Sequence, residues 1–206
     1  FPGFLWNTVI ITAANMVGVL LSASLAGFGF ARMRFPGREK FFLLVLSTLM
    51  LPEIVTQIPS YLLFRSLHWI DTFLPLIVPT YLGGGAFNIF LFRQFFMSIP
   101  FELDEAARID GASTWQIYAR VILPLSKPVL ATVAIFEFIA RWRDYLGPLI
   151  YLNDQKLFVL SLGLYEYSSQ YGREWGLLMA ASVLITLPII LLFFFLQKVF
   201  VQGIAL

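Results

Sequence analysis

The chain has 206 residues, 59% of them hydrophobic and 13% charged, with a mean hydropathy of +0.83. An average soluble domain is about 45–50% apolar and about 25% charged, so a soluble enzyme, a nucleic-acid binder and a disordered segment are all disfavoured. A net charge of +2, no cysteine and a single histidine (His68) argue against a polyanion partner, disulfides, thiolate zinc sites and histidine clusters.

Residues 1–31 carry no charge, and a membrane-spanning helix of about 20 residues fits over residues 7–30. The next apolar stretch, residues 41–64, is interrupted by Glu53. Glu53 and Gln57 are four apart, on one helix face, between Pro52 and Pro59. Proline in a span frees backbone carbonyls that a cavity or a neighbouring helix must satisfy. A solute path and a kink with a satisfied polar pair are both consistent with this site. Residues 72–92 are uncharged, and Gly83, Gly84 and Gly85 within them read as a close helix contact or a bend.

Residues 98–124 are too patterned for a slack connector. Ser98 is placed to cap a helix, Pro100 suits a first turn, and Glu102, Asp104 and Glu105 match the positive end of the helix dipole. Asp110 and Gly111 supply a stop, with Gly111 free to turn left-handed. Ser113 followed by Gln116 is a capping box. Ile117, Tyr118, Val121 and Ile122 then recur at helical spacing until Pro124 ends the run. The product is a helix–turn–helix bracket. An amphipathic loop lying on lipid is its bland alternative.

A fourth span over residues 126–150 holds Glu137, Arg141, Arg143 and Asp144. Ionisable groups at membrane depth cost about 2.5–3.5 kcal/mol on insertion scales, so they face a cavity or a partner. Glu137 and Arg141 are i,i+4 in the favoured order, and Asp144 is three further along the same face. This face either lines a solute route or holds the helix against its neighbour by an internal ion pair. A fifth span covers residues 175–197.

The five helical spans define an all-α integral membrane protein, read as one domain over residues 1–206. Of the 14 Lys and Arg, one side collects Arg32, Arg34, Arg38, Lys40, Arg93, Arg108, Arg120, Lys127 and Lys198, and the other collects Arg65, Arg141, Arg143, Lys156 and Arg173. The richer side is expected in the cytoplasm, which places the C-terminus there.

Glu105-Ala106-Ala107, then Gly111, then Leu123-Pro124 resembles the EAA motif of binding-protein-dependent ABC importer permeases. Val121 stands where the family pattern has Ile. Arg34-Phe35-Pro36-Gly37, Arg93-Gln94-Phe95-Phe96, Ile109-Asp110-Gly111-Ala112 and Gly176-Leu177-Leu178-Met179-Ala180-Ala181 are similar to the carbohydrate-uptake branch, and within it to the maltose-transporter-like second permease subunit. Many of those relatives carry Asn where this chain has Arg143.

The resemblance implies a polytopic permease fold with six spans, the first being absent from this sequence. It implies that residues 98–124 are the segment coupled to an ATPase, with Glu105, Ala106, Ala107, Gly111, Leu123 and Pro124 as its signature. It also implies two ABC ATPase subunits, a second homologous permease forming a heterodimer, an extracytoplasmic solute-binding protein and a prokaryotic cytoplasmic membrane. ATP and magnesium would sit on the ATPase partners. No Gly-x-x-x-x-Gly-Lys-Ser/Thr loop occurs in this chain, and no catalytic or metal site is expected on it. The implied function is sugar import, of an oligosaccharide or related polyol, by alternating access. Glu53, Gln57, Glu137, Arg141 and Asp144 are its candidate pathway residues. An ion-coupled secondary transporter, with Glu53 and Glu137 as ion relays, is the alternative, and it has no use for the EAA loop.

Overall fold

A computed structural model describes residues 2–170 and 175–204, without the side chains of residues 53, 166–170, 177 and 195–204. All regular structure among the described residues is helical. The uncharged N-terminal stretch forms one helix, α1 (Pro2–Arg32), which the first charged residue closes. It is the axis of the molecule, and the later elements pack around it.

After a turn at Gly37 come α2 (Arg38–Ser47), a 3-10 turn (Thr48–Met50) and α3 (Glu53–Ser66). Pro52 is extended (φ −60°, ψ 134°) at the head of α3, and the segments on either side of it meet at 100°. The second apolar stretch is therefore a broken element, as a proline without an amide proton favours. Next are α4 (Leu74–Ile77), a 3-10 turn (Val78–Tyr81) and α5 (Ala86–Ser98). Gly83, Gly84 and Gly85, with φ of 118°, 67° and 87°, make the bend between them. The third span is thus longer than expected, running from Leu74 to Ser98.

Small residues let α1 approach this broken span closely. A Cβ on Gly27 would stand 2.6 Å from the Cβ of Phe92, and one on Gly84 would stand 2.8 Å from that of Ala23. Polar side chains latch the same seam. Ser22 donates to the Thr80 carbonyl at 2.8 Å, and Tyr81 donates to the Ala14 carbonyl at 3.0 Å.

The bracket follows as α6 (Glu102–Ile109), α7 (Thr114–Gln116), a π-helical turn (Ile117–Ile122) and α8 (Leu123–Leu125). Then come α9 (Lys127–Trp142), α10 (Leu146–Tyr151), a 3-10 turn (Gln155–Leu157), α11 (Leu160–Gln170) and α12 (Trp175–Ile204). The bracket's second arm and α9 meet at 77°. The 16 residues of α9 rise about 24 Å, short of a hydrocarbon core of about 30 Å. The expected fourth span therefore stops at Trp142 and resumes as α10 after a break. Among the described residues, two helical stretches, Pro2–Arg32 and Leu74–Ser98, are long and apolar enough to cross a membrane, and the two bent pairs reach that length together; the fifth expected span lies within α12, part of whose side chains fall outside the described residues.

Two hydrophobic clusters hold the ends of the molecule. One, at the bracket end, joins Val19, Ala23 and Phe28 of α1 to Phe92 and Phe96 of α5 and to Ile117, Tyr118 and Ile122 of the bracket. The other, at the far end, joins Ile11 to Leu76, Tyr151, Val159 and Leu162. The bracket is thereby fastened to the membrane core by its second arm. The outer surfaces of α2, α3 and α12 keep large apolar side chains exposed, among them Leu44 (64%), Ile58 (73%) and Phe194 (63%). Lipid and neighbouring subunits are the natural cover for such surfaces.

Candidate functional site

The bracket is closed by its own backbone. At the end of α6, the amide of Gly111 bonds to the carbonyl of Arg108 at 3.0 Å and that of Ala112 to Ala107 at 2.9 Å. These are the two bonds of a Schellman motif, with Gly111 at φ 83° as the left-handed residue. Open space surrounds its Cα, with no atom within 4 Å of where a Cβ would stand. Conformation, not crowding, is what asks for glycine at this position. The capping box follows at once: Gln116 N donates to Ser113 Oγ at 3.3 Å, and Ser113 N donates to Gln116 Oε1 at 2.7 Å.

Two local expectations fail. Ser98 does not cap α6; it is the last residue of α5, and its hydroxyl donates to the Phe95 carbonyl at 2.7 Å. Pro100 pushes Ile99 into an extended conformation (ψ 130°), so α6 starts at Glu102 behind Phe101, with no side-chain cap. Pro124 does not end the second arm either. The arm runs on to Leu125, because a π turn precedes the proline and widens the helix where its missing N–H and its ring would otherwise conflict with the preceding turn. Ser126, fully buried, then donates to the Ile122 carbonyl at 2.6 Å.

Glu105, Ala106 and Gly111 lie on the exposed side of the bracket, beside Ile109 (87% exposed) and Trp115 (62% exposed). Ala107 and Leu123 turn inward and pack against the core cluster, while Pro124 is exposed. The bracket thus presents a small-residue ridge flanked by two bare apolar side chains, anchored from behind by Ile117, Tyr118 and Ile122.

A charged core beneath the bracket is what the sequence reading missed. Arg32, 5% exposed at the end of α1, donates to the carbonyls of Phe96 and Ile99, both at 2.6 Å. Its Nη1 is 3.7 Å from Asp104 Oδ2, and its guanidinium lies over the Phe101 ring at 4.3 Å. Burial pushes the Asp104 carboxyl above the usual carboxylate range, while Arg32 and then Arg108 pull it back. Nearby, Arg93 grips Glu39 with both carboxylate oxygens within 2.9 Å and covers the Phe42 ring at 4.0 Å. In the sequence Arg32 was only a charge ending an apolar run, and Arg93 stood in the Arg93-Gln94-Phe95-Phe96 resemblance with nothing to name its partners.

At membrane depth, Arg141 Nε donates to Glu137 Oε1 at 2.6 Å, and Glu137 is 6% exposed. This is a closed pair. Asp144 does not extend its face, because α9 ends at Trp142 and Arg143 is its C-cap. Asp144 instead accepts from the Gly147 amide at 3.1 Å, in the first turn of α10. Arg141 and Asp144 do meet around a cavity of about 10 Å³, room for about one water, shared with Thr8 and Leu76. Gln57 is half-buried on α3, four residues after Glu53, whose side chain lies outside the described residues.

At the far end, Asp71 Oδ1 accepts from the amides of Asn153 (2.9 Å) and Asp154 (2.8 Å), which hold its carboxyl below the usual range. Trp142 Nε1 donates to the Ile185 carbonyl at 2.9 Å and ties α9 to α12.

Comparison with known proteins fits this architecture. Residues 18–206 match the model of a family described as binding-protein-dependent transport system inner membrane component. An arabinooligosaccharides transport system permease protein, AraQ, of Halalkalibacterium halodurans is 37% identical over 197 residues, covering 96% of this chain and 70% of that protein. The lactose transport system permease protein LacG of Rhizobium radiobacter is 35% identical, covering 98% and 73%. Among solved structures, a bacterial ABC transporter that imports the acidic polysaccharide alginate superposes with a TM-score of 0.85 at 27% identity, over 96% of this chain and 74% of that one. An inward-facing methionine ABC transporter shares the fold at a TM-score of 0.69 and 19% identity, over 97% and 94%. A multi-pass helical chain with this bracket, these relatives and this superposition belongs to the family of inner membrane components of binding-protein-dependent transport systems.

Proposed function

We propose that this chain is a permease subunit of an ATP-driven importer for an oligosaccharide or related polyol. The observation that carries the reading is the bracket. Its Schellman turn and capping box build a rigid projection that displays Glu105, Ala106 and Gly111, in the spacing that resembles the EAA motif. A projection with small residues and bare apolar flanks fits a groove on another protein better than it fits water. In this reading two ATPase subunits receive the brackets of this chain and of a second, homologous permease. ATP binding closes the ATPases, draws the brackets together and swings the membrane helices from inward- to outward-facing. An extracytoplasmic binding protein delivers the solute, the bracket end faces the cytoplasm, and nucleotide and magnesium stay on the ATPases. The sugar assignment draws on relatives named for arabinooligosaccharides and lactose.

Glu137 and Arg141 are candidate pathway residues in this scheme, with Asp144, Gln57 and Glu53. Their closed geometry supports a role in holding α9, and a solute cavity would be completed by the second permease. The test is purification of the chain in mild detergent. Co-purification of an ATPase and a second permease, with ATP hydrolysis stimulated by an arabinooligosaccharide or lactose, is the expected result. An active complex holding only homodimers of this chain overturns the heterodimer, and transport driven by an ion gradient without ATP overturns the reading as a whole.

A further inference from the structure

One side chain joins four parts of the molecule at the base of the bracket. Arg32 is the last residue of α1. Its Nη2 donates to the Phe96 and Ile99 carbonyls, where α5 ends and the negative pole of its dipole emerges. Its face stacks on Phe101, the residue that opens α6, and its Nη1 faces Asp104 in the first turn of α6. Of the three acids in that turn, Glu102 and Glu105 are exposed and Asp104 alone is buried, at 4%. A carboxylate is costly to bury without a counter-charge, so Asp104 belongs to Arg32 rather than to the surface. The guanidinium fork suits this position, since an ammonium cannot stack and reach carbonyls and carboxylate from one plane.

We propose that Arg32 is a positioning residue that rivets α6 to α1, so that the bracket's first arm and the central helix move as one body. This rests on the reading of residues 98–124 as the ATPase-coupling segment. Displacement of α6 by an ATPase is then delivered to α1, and through α1 to the helices packed on it, α5 and α9. The second arm, on which α6 packs, is anchored separately by Ile117, Tyr118 and Ile122, and Arg32 adds a direct polar tie from the first arm to α1. Arg32 Nε and Nη1 and Asp104 Oδ1 have no hydrogen-bond partner among the described residues, so the pair can tighten without breaking another bond.

The chain has no cysteine, which lets spin labels be placed at will. Labels go on Leu21→Cys, exposed on α1, and Glu102→Cys, exposed at the start of α6. Their separation is measured by pulsed electron spin resonance in the complete transporter in lipid nanodiscs, without nucleotide and trapped with ATP and vanadate. The expected result is the same separation in both states for the otherwise unaltered chain. Asp104→Asn and Arg32→Gln should shift or broaden it on trapping by about a helical turn, ~5 Å, and Asp104→Glu should restore it. Variants that keep one fixed separation in both states overturn the proposal, as does an unaltered chain whose own separation changes by a turn. If the neutral variants fail to assemble, Arg32→Lys, with the charge kept and the fork gone, decides by the same criterion. The underlying reading fails separately: a Gly111→Val transporter that retains its ATPase and its full response to nucleotide overturns the coupling assignment, whatever the label distances do.

Discussion

Asp104 beneath the bracket and Glu137 inside α9 are both buried acids paired with an arginine, yet the two pairs are closed to different degrees. In α9 the Glu137–Arg141 pair is in contact at 2.6 Å, and the space beside Arg141 is the size of one water. Beneath the bracket the Arg32–Asp104 pair stands at 3.7 Å with three polar atoms unmatched among the described residues, beside a cleft of about 370 Å³ lined by Arg34, Glu105, Arg108 and Thr114. The short pair lies within one helix and holds its two turns together. The longer pair joins two helices, α1 and α6, and leaves room to tighten as they move together. The difference separates a pair that holds one helix from a pair that ties two helices together.

The strongest way to break that contrast is to unpair α9. Arg141→Met leaves Glu137 buried without its counter-charge, a change that costs about 3–5 kcal/mol when one partner of a buried pair is removed. The yield of assembled subunit should collapse, and the reversed pair, Glu137→Arg with Arg141→Glu, should recover much of it. If Glu137 serves only to hold α9, the recovered complex also regains solute-stimulated ATPase activity. Recovered yield with stimulation still absent would instead assign Glu137 to the pathway.

Gly111→Val acts at the bracket, and its effect is of intermediate size. A left-handed conformation costs a residue with a Cβ about 1–2 kcal/mol, more when it is β-branched, and open space at this position adds nothing to that. The chain should still reach the membrane, while retention of the ATPase in pull-downs falls. Gly111→Ala should do the same more weakly. A smaller effect is expected of Ser113→Ala, which removes one half of the capping box for about 1 kcal/mol. Faster amide hydrogen exchange at Gln116, whose N–H loses its acceptor, is the measurement.

The smallest effect sharpens the comparison by pH. The Asp104 carboxyl is raised by burial, so its contribution to stability is present below the ordinary carboxylate range and is lost as pH rises through its raised value. Asp71 is the reverse. Its contribution is present above the ordinary range and is lost as pH falls through its lowered value. Acidification should therefore protonate Asp104 first, while Asp71 still holds the loop carrying Asn153 and Asp154. Carboxyl-carbon chemical shifts of labelled aspartate, with Asp104→Asn and Asp71→Asn for assignment, give the order of titration.

Features encoded within a few residues were readable from the chain. Gly111, the Ser113–Gln116 box and the Glu137–Arg141 spacing each need only one helical turn of context. The contacts of Arg32 and Arg93 were not readable, because their partners lie 64, 67 and 54 residues away and no periodicity reports on them. Asp144 shows a subtler failure. Counting in threes and fours assumes that the helix continues, whereas α9 stops two residues earlier and Asp144 serves the next turn. Ser98 misled for a similar reason. A serine before a proline looks like a helix start, but it lay inside the helix that was ending.

The empty surroundings of Gly111 carry one further consequence, which concerns handedness. D-alanine and L-alanine have the same volume and polarity, and the L methyl would meet no neighbouring atom at this position. Only the mirror relation of their allowed backbone angles tells them apart, and φ 83° lies on the D side. A semisynthetic chain with D-alanine at 111 should therefore keep the bracket and stabilise it by about 0.4–1 kcal/mol, because the unfolded chain loses conformations that the folded one never used. Its L-alanine twin, identical in every atom count, should weaken the same turn.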